Sequence, residues 1–407
     1  MNPATPLLLR EFHQSLGANF ASLNDAEIVA DYGAALAEHT ALRLTAGVLD
    51  LSFRSRLCLT GADRVRFLHG QITNDVKRLR PGEGCYAALV TAKGKMQSDL
   101  NVFALPDELL LDFGPGLTAT VTARLEKYLV ADDVQVVDVA PHYGLLSVQG
   151  PQSEAVVRAG GLFTEIPAQE FSFVKITDAT LGEIYLMNQP RLLLPRPATQ
   201  ERGEGRGEGQ PQSNPSSSPR PSPPSVGGEG ASTTGAGFDL FVPTASLGAV
   251  ADKLIAAAQA VGGRACGGTA FEIARIEAGI PRFGADMDET NIPLECGIEA
   301  RAVSYHKGCY IGQEVINRIH SIGHVNRELR GLRLADEPKN PPAKGDKLFH
   351  AGKEVGHVTS AIHSPTLNAN LALGYVRREA NAVGTELCLR TGDGERETTI
   401  VELPFVK

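Results

Sequence analysis

Several features are missing from the chain, and each absence removes a class of function. No uninterrupted apolar run reaches the roughly 18 residues that a membrane-spanning helix needs, so an integral membrane protein is not expected. The six cysteines, Cys58, Cys85, Cys266, Cys296, Cys309 and Cys388, form no C-x-x-C pair. A zinc ribbon or redox dithiol is therefore excluded, and free thiols in a reducing compartment are expected. An excess of positive charge is missing as well. A formal net charge of −8 argues against broad binding of phosphate backbones, which rests on lysine and arginine. The N-terminus has neither a charged n-region with a full apolar h-region nor an Arg-rich transit pattern, so a cytoplasmic location is expected. No fixed-period repeat runs through the sequence.

What is present is ordinary globular composition, 42% apolar and 21% charged, over 407 residues. Single cores stop growing near about 250–300 residues, which predicts two or three domains. Residues 1–45 read as a helical extension, because Ile28, Tyr32, Ala35 and Leu36 recur near the helical period before Gly47. Across 46–142 short strands such as Tyr86–Val90, Leu100–Phe103 and Leu109–Phe113 mix irregularly with helical patterns, giving a first α+β unit. A second α+β unit is expected over 143–328. Inside it, 196–236 is Gly, Ser, Pro, Glu and Arg with almost no apolar residue, a composition that cannot offset ordering entropy and predicts disorder. Its Gly205, Gly207 and Gly209 have no preceding strand or following helix, so they are not a dinucleotide loop. The strands flanking this insertion are expected to pair as a hairpin with a lengthened loop. From 329 to 407 evenly spaced strands predict a small closed β-barrel.

The most unusual stretch is His306-Lys307-Gly308-Cys309-Tyr310-Ile311-Gly312-Gln313-Glu314. Glycines flanking the thiol allow close approach, Lys307 and His306 can stabilise a thiolate, and Ile311, Val315, Ile316, Ile319 and Ile322 trace a helix face that puts Cys309 near a helix N-terminus. A buried, inert Cys309 is the alternative. His306, Cys309 and Cys296 are weak candidates for a metal, and His320 and His324 read as surface or satisfied histidines. The basic run of Arg301, Lys307, Arg318, Arg327, Arg330 and Arg333 reads either as a solvated face or as a site for an anionic tail or RNA.

Lys307 to Glu314 resembles the K-G-C-Y-x-G-Q-E signature of the YgfZ family, relatives of the glycine-cleavage T protein. Gly47–Ser52, the Gly61-Ala62-Asp63 to Thr73-Asn74-Asp75 segment, Gln149-Gly150-Pro151, Arg275–Pro281 and Pro293-Leu294-Glu295 resemble the same superfamily in order. The likeness spans 47 to 404 outside the insertion. It implies an aminomethyltransferase-like folate-binding fold of two α+β domains and a C-terminal barrel around a central channel. It also implies a tetrahydrofolate site in which Asp239, in Gly237-Phe238-Asp239-Leu240, reads the pterin and Asp99 faces the folate. Tyr310, Gln313 and Glu314 would contribute to binding, and Cys309, Lys307 and Asp99 would carry the chemistry. The function so implied is a folate-binding accessory for iron–sulfur cluster assembly or repair, serving iron–sulfur proteins or assembly factors and, through them, tRNA modification. A T-protein-type aminomethyltransferase is the alternative, disfavoured by Ser98-Asp99 standing where T proteins have paired aspartates. No metal and no membrane contact are expected.

Overall fold

The computed structural model describes residues 4–192, 237–335 and 340–406; the 196–236 insertion, with its expected disorder and its glycine run, lies outside the described residues. The first 45 residues differ from the helical extension expected. Helices α1 (Arg10–Ser15) and α2 (Ala35–Leu44) flank an antiparallel hairpin of β1 (Asn19–Leu23) and β2 (Ala26–Asp31). Its loop residues Asn24 and Asp25 both have positive φ, 48° and 60°. Asn and Asp tolerate that region, and a two-residue loop of this kind matches the twist of paired strands, so turn chemistry overrides the helical spacing of Ile28 and Tyr32. Two buried pairs fasten this extension to the body. His13 Nε2 lies 2.8 Å from Asp50 Oδ2, with the Tyr32 hydroxyl 2.8 Å from His13 Nδ1, and His39 Nε2 lies 2.9 Å from Glu277 Oε2.

Strand β3 (Gly47–Asp50), expected to open the first α+β unit, joins the second sheet instead. The first sheet holds β4 (Ser55–Thr60), β5 (Gly84–Val90), β6 (Met96–Ala104), β7 (Leu109–Phe113) and β8 (Gln135–Asp138) in the order β5-β6-β7-β4-β8, all antiparallel. Strand alternation gives it two faces. Leu57, Leu59, Leu100, Val102, Leu111 and Phe113 on one face bury against Phe67 and Leu68 of α3 (Arg64–Gln71) and Val121 and Leu125 of α4 (Thr118–Glu126).

The second sheet comprises β9 (Tyr143–Gln149), β10 (Phe173–Asp178), β11 (Gly182–Asn188), β12 (Gly237–Pro243) and β13 (Arg264–Ala265), with β3, in the order β10-β11-β12-β9-β3-β13. As expected, β11 and β12 on either side of the insertion are antiparallel neighbours. Helices α5 (Ser153–Ala159) and α6 (Leu247–Ala260) cover Leu146, Val148, Phe238, Leu240 and Val242. The opposite faces of the two sheets share a third core, in which Leu49, Phe103, Leu110, Met187 and Phe241 pack with alanines of α2 and of α7 (Gly268–Glu277).

The motif segment, with α8 (Glu299–Ala302) and α9 (Gln313–Ser321), packs with the first sheet and the barrel rather than the second sheet: Tyr310 and Ile316 cluster with Ala88, Val90 and Met96 and with Leu329 and Tyr375. The barrel of β14 (Arg327–Leu334), β15 (Lys347–His350), β16 (Lys353–Ser364), β17 (Ala369–Arg377), β18 (Glu386–Thr391) and β19 (Gly394–Val401) closes around Leu332, Leu348, Val358, Leu389 and Ile400. The fold is thus α+β, two sheet-and-helix layers plus a closed six-stranded barrel. No helix among the described residues is long and apolar enough to cross a membrane.

Candidate functional site

Polar residues set in strands otherwise built for burial converge on the inner face of the first sheet. Tyr86, Asn101, Asp112 and Arg56 form one cross-strand row, each opposite the next. Asp99, two residues from Asn101 along β6, shares that face. On the second sheet Asp239 sits opposite Ser147, on the side of Phe241, whose ring centroid lies 6.3 Å from that of Phe103 on the facing sheet.

Arg191, just after β11, bridges the two sheets. Its Nε donates to Asp239 Oδ1 and Oδ2 at 3.1 and 2.9 Å, and its Nη2 donates both to Asp239 Oδ2 and, at 3.0 Å, to Asp112 Oδ2. Asp112 also accepts from Arg54 Nε and Nη2 at 2.7 and 2.9 Å and from the Asn101 amide at 2.8 Å. Burial alone would raise the Asp112 carboxyl, but Arg54 and Arg191 outweigh it and hold Asp112 well below the usual carboxylate range. The same carboxylates keep the Arg191 guanidinium charged despite its burial. Asp99 differs. It accepts from the Tyr86 hydroxyl at 2.9 Å, and no guanidinium among the described residues lies within hydrogen-bond distance of it. Burial outweighs the pull of Arg54 and Tyr86, so its carboxyl sits above the ordinary range. Nearby, Gln189 Oε1 is buried without a hydrogen-bond partner, an open acceptor of the kind a ligand or water fills.

Lys307 is placed differently from the sequence expectation. It is buried, and its Nζ donates to the carbonyl oxygens of His69, Ile72 and Asn74 at 2.7, 2.7 and 2.8 Å. All three ammonium protons are therefore spent on the end of α3 rather than on the thiol, while burial lowers Lys307 to about 8. Cys309 is exposed, which excludes the inert buried reading. It does not sit in the first turn of a helix either, because α9 starts at Gln313 after Gly312, and terminal helix fields fade within one turn. Gly312 is needed there: its φ is 87°, and a Cβ would lie 2.5 Å from the Thr91 carbonyl oxygen. Tyr310 is buried with its hydroxyl unpartnered under Lys307, whose Nζ is 4.9 Å from the ring centroid. Gln313 is half-buried and Glu314 exposed, and neither is among the hydrogen-bond partners of Asp99 or Asp239. The motif reaches the inter-sheet network through Asn74, whose amide donates to the Tyr86 carbonyl at 2.7 Å.

The basic run does not make one cationic face. Arg301 pairs with Glu170 and lies over the Tyr86 ring, Lys307 is buried, Arg327 pairs with Glu295 and Arg330 with Glu328; Arg318 and Arg333 remain exposed. Cys296 is buried against Tyr375 and Met96, and His320 pairs with Glu299. Among the described residues no group of three or more His, Cys, Asp or Glu side chains is arranged to hold a metal ion.

Known proteins resemble this chain in sequence and fold. The GCVT N-terminal domain profile matches residues 9–189 and 232–307, and the profile of the glycine cleavage T-protein C-terminal barrel domain matches 327–407. The chain belongs to the glycine-cleavage T-protein family. Proteins named aminomethyltransferase from Thermosynechococcus vestitus, Ralstonia pickettii and Shouchella clausii are 28%, 27% and 26% identical; the alignments cover 98–99% of this chain and 95%, 96% and 97% of those proteins. The crystal structure of aminomethyltransferase T from Bartonella henselae superposes with a TM-score of 0.80 over 99% of this chain and 98% of that one, at 22% identity, a likeness of fold.

Within this family fold, Asp99 and Asp239 lie on the facing sides of the two sheets. Arg191, Asp112, Asn101 and Tyr86 escaped the sequence reading. The signal available was a lone polar residue inside an apolar strand, as in Leu109-Leu110-Leu111-Asp112-Phe113.

Proposed function

We propose that the protein binds tetrahydrofolate between its two sheets and transfers a one-carbon unit to it in a reaction of the aminomethyltransferase type. The observation that carries this reading is the pair of inner-face carboxylates, Asp99 and Asp239, supplied by facing sheets on either side of the ionised Asp112. A carboxylate such as Asp239 accepts the adjacent N–H donors of a pterin edge in pairs. Asp99, raised by burial and held by Tyr86, is suited to take or return a proton beside the reacting nitrogens. The open acceptor of Gln189 fits a ligand rich in N–H donors. Tetrahydrofolate, when bound, supplies the reduced-ring nitrogens that accept the one-carbon unit. Kinship with proteins named aminomethyltransferase over nearly their whole length supports the same reaction.

The single aspartate at 98–99 does not weigh against transfer. Ser98 is fully buried, opposite Leu89 on the helix-covered face of β6, so a carboxylate there would point away from Asp99 into an apolar core. The test is release of ammonia and formation of methylenetetrahydrofolate from an aminomethyl donor. Asp99→Asn should lower turnover by about a hundredfold or more, the usual weight of general acid–base catalysis, with folate affinity retained. Absence of any turnover by the wild-type protein contradicts the transfer reading.

One observation favours a second reading: Cys309 is exposed on a segment anchored from below by Lys307. Under it the protein is a tetrahydrofolate-binding accessory of iron–sulfur cluster assembly or repair, of the YgfZ kind, with iron–sulfur proteins or their assembly factors as partners and tRNA modification downstream. The folate site serves both readings; turnover and the Cys309→Ser phenotype separate them.

A further inference from the structure

We propose that Arg191 is an internal competitor for the ligand's donor edge, and that a pterin gains Asp239 only when the Arg191 guanidinium swings off it. The inference rests on the reading of Asp239 as the pterin-binding carboxylate. Both Asp239 oxygens are taken by Arg191, through Nε and Nη2, in the fork geometry that a pterin's adjacent N–H donors would themselves use. Ligand and arginine therefore compete for the edge of the carboxylate that presents both oxygens together.

The guanidinium has a second place to go. Its Nη2 already donates to Asp112 at 3.0 Å, and Asp112 is kept ionised by Arg54 from the other side. The Arg191 backbone is fixed, since its N–H donates to Gln149 Oε1 at 2.9 Å and Gln149 in turn donates to the Gln189 carbonyl at 3.0 Å. Only the side chain has to move. A swing from Asp239 to Asp112 shifts the arginine from the second sheet to the first and uncovers one carboxylate without burying an unpaired cation. The binding-competent fraction f then sets the apparent affinity, because the apparent Kd is the intrinsic Kd divided by f. Giving up the charge-assisted pair with Asp239 while keeping the one with Asp112 makes an f of roughly one in ten the expectation.

The sign is the opposite of that for an ordinary site residue: removing the buried arginine from Asp239 should tighten binding. Without Arg191, Asp239 keeps Ser147 as partner and its burial, so its carboxyl stays raised. The gain therefore needs a pH at which it is ionised. Near pH 8, about four units above an ordinary aspartate, is where the gain is to be sought. As pH falls through the raised value the carboxyl gains a proton, loses its acceptor role, and the advantage fades.

Calorimetric titration of tetrahydrofolate into the full-length protein tests this. Near pH 8, R191Q should bind about tenfold tighter than wild type, matching the estimated f. D239A should bind about tenfold weaker, and R191Q/D239A no tighter than D239A. R191K, which keeps the charge but not the fork, should fall between wild type and R191Q, and it decides the matter if R191Q does not fold. R191Q, or R191K in its place, binding no tighter than wild type while D239A still weakens binding would overturn the competitor role and leave the Asp239 reading standing. D239A binding as well as wild type would overturn the Asp239 reading itself. A gain in R191Q that does not fade on acidification would also overturn the competitor role, since mere loosening of the fold has no reason to follow the titration of Asp239.

Discussion

Replacing Lys307 by Met isolates what the motif lysine does. Met retains much of the stem's bulk and removes the ammonium, which in the native protein satisfies the carbonyls of His69, Ile72 and Asn74 at 2.7–2.8 Å. Those carbonyls close the end of α3 and the turn after it. Leaving three such acceptors short costs about 1 kcal/mol each, the low end of the usual range, because the ammonium's own burial penalty is relieved at the same time. The expected loss is therefore about 3 kcal/mol. Urea titration should show it as a lower midpoint, and hydrogen exchange should place the loosening at residues 64–76. Cys309→Ser, an exposed change two residues along the chain, should stay within about 0.5 kcal/mol of wild type. A pH series adds a signed check. Folded Lys307 titrates at about 8 and a free lysine near about 10.4, so between those values the unfolded chain binds the extra proton. Stability relative to Lys307→Met should accordingly rise with pH across that window. A Lys307→Met protein as stable as wild type, with unchanged exchange at 64–76, would refute the anchoring role and return Lys307 to the thiol.

Three further outcomes follow from the same contacts. In turnover assays the acid limb should lie above the ordinary aspartate range of about 4, because burial raises Asp99, and it should vanish in Asp99→Asn; a limb unchanged by that substitution assigns it elsewhere. Under the iron–sulfur reading, Cys309→Ser should keep fold and tetrahydrofolate binding yet fail to restore iron–sulfur enzyme activities in a deletion strain, whereas full complementation would mean that the motif serves shape rather than thiol chemistry. Burial would raise the Glu277 carboxyl, but His39 and Ser364 outweigh it and hold it low. Its contribution should be complete above about pH 4.3 and disappear as pH falls through the lower folded value, so wild type and Glu277→Gln should differ near neutrality and converge in acid.

The parts of the fold carried by local pattern were legible. The barrel strands announce themselves by alternation and turns, and the strands at 184–187 and 237–242 pair across the insertion because their apolar faces demand it. The hairpin at 19–31 was not, since one Asn-Asp turn decides it and the neighbouring residues carry a helical spacing. At the site, the resemblance pointed to Asp99 and Asp239, but nothing local told of Arg191. Its role exists only because β7 and β12, far apart in sequence, present Asp112 and Asp239 to the same guanidinium. Lys307 misled for a related reason. Beside a cysteine in sequence, a lysine looks like a thiolate partner, yet the carbonyls that claim it lie more than 230 residues upstream.

A crystal structure of the tetrahydrofolate complex tests the central claim most directly. The expected complex has the pterin between the two sheets, its N–H edge on Asp239 at hydrogen-bond distance of about 2.7–3.2 Å, Arg191 turned onto Asp112, and Asp99 beside the reduced ring. Folate seated on Tyr310–Glu314 or on the barrel, with the Arg191–Asp239 pair intact, would contradict it.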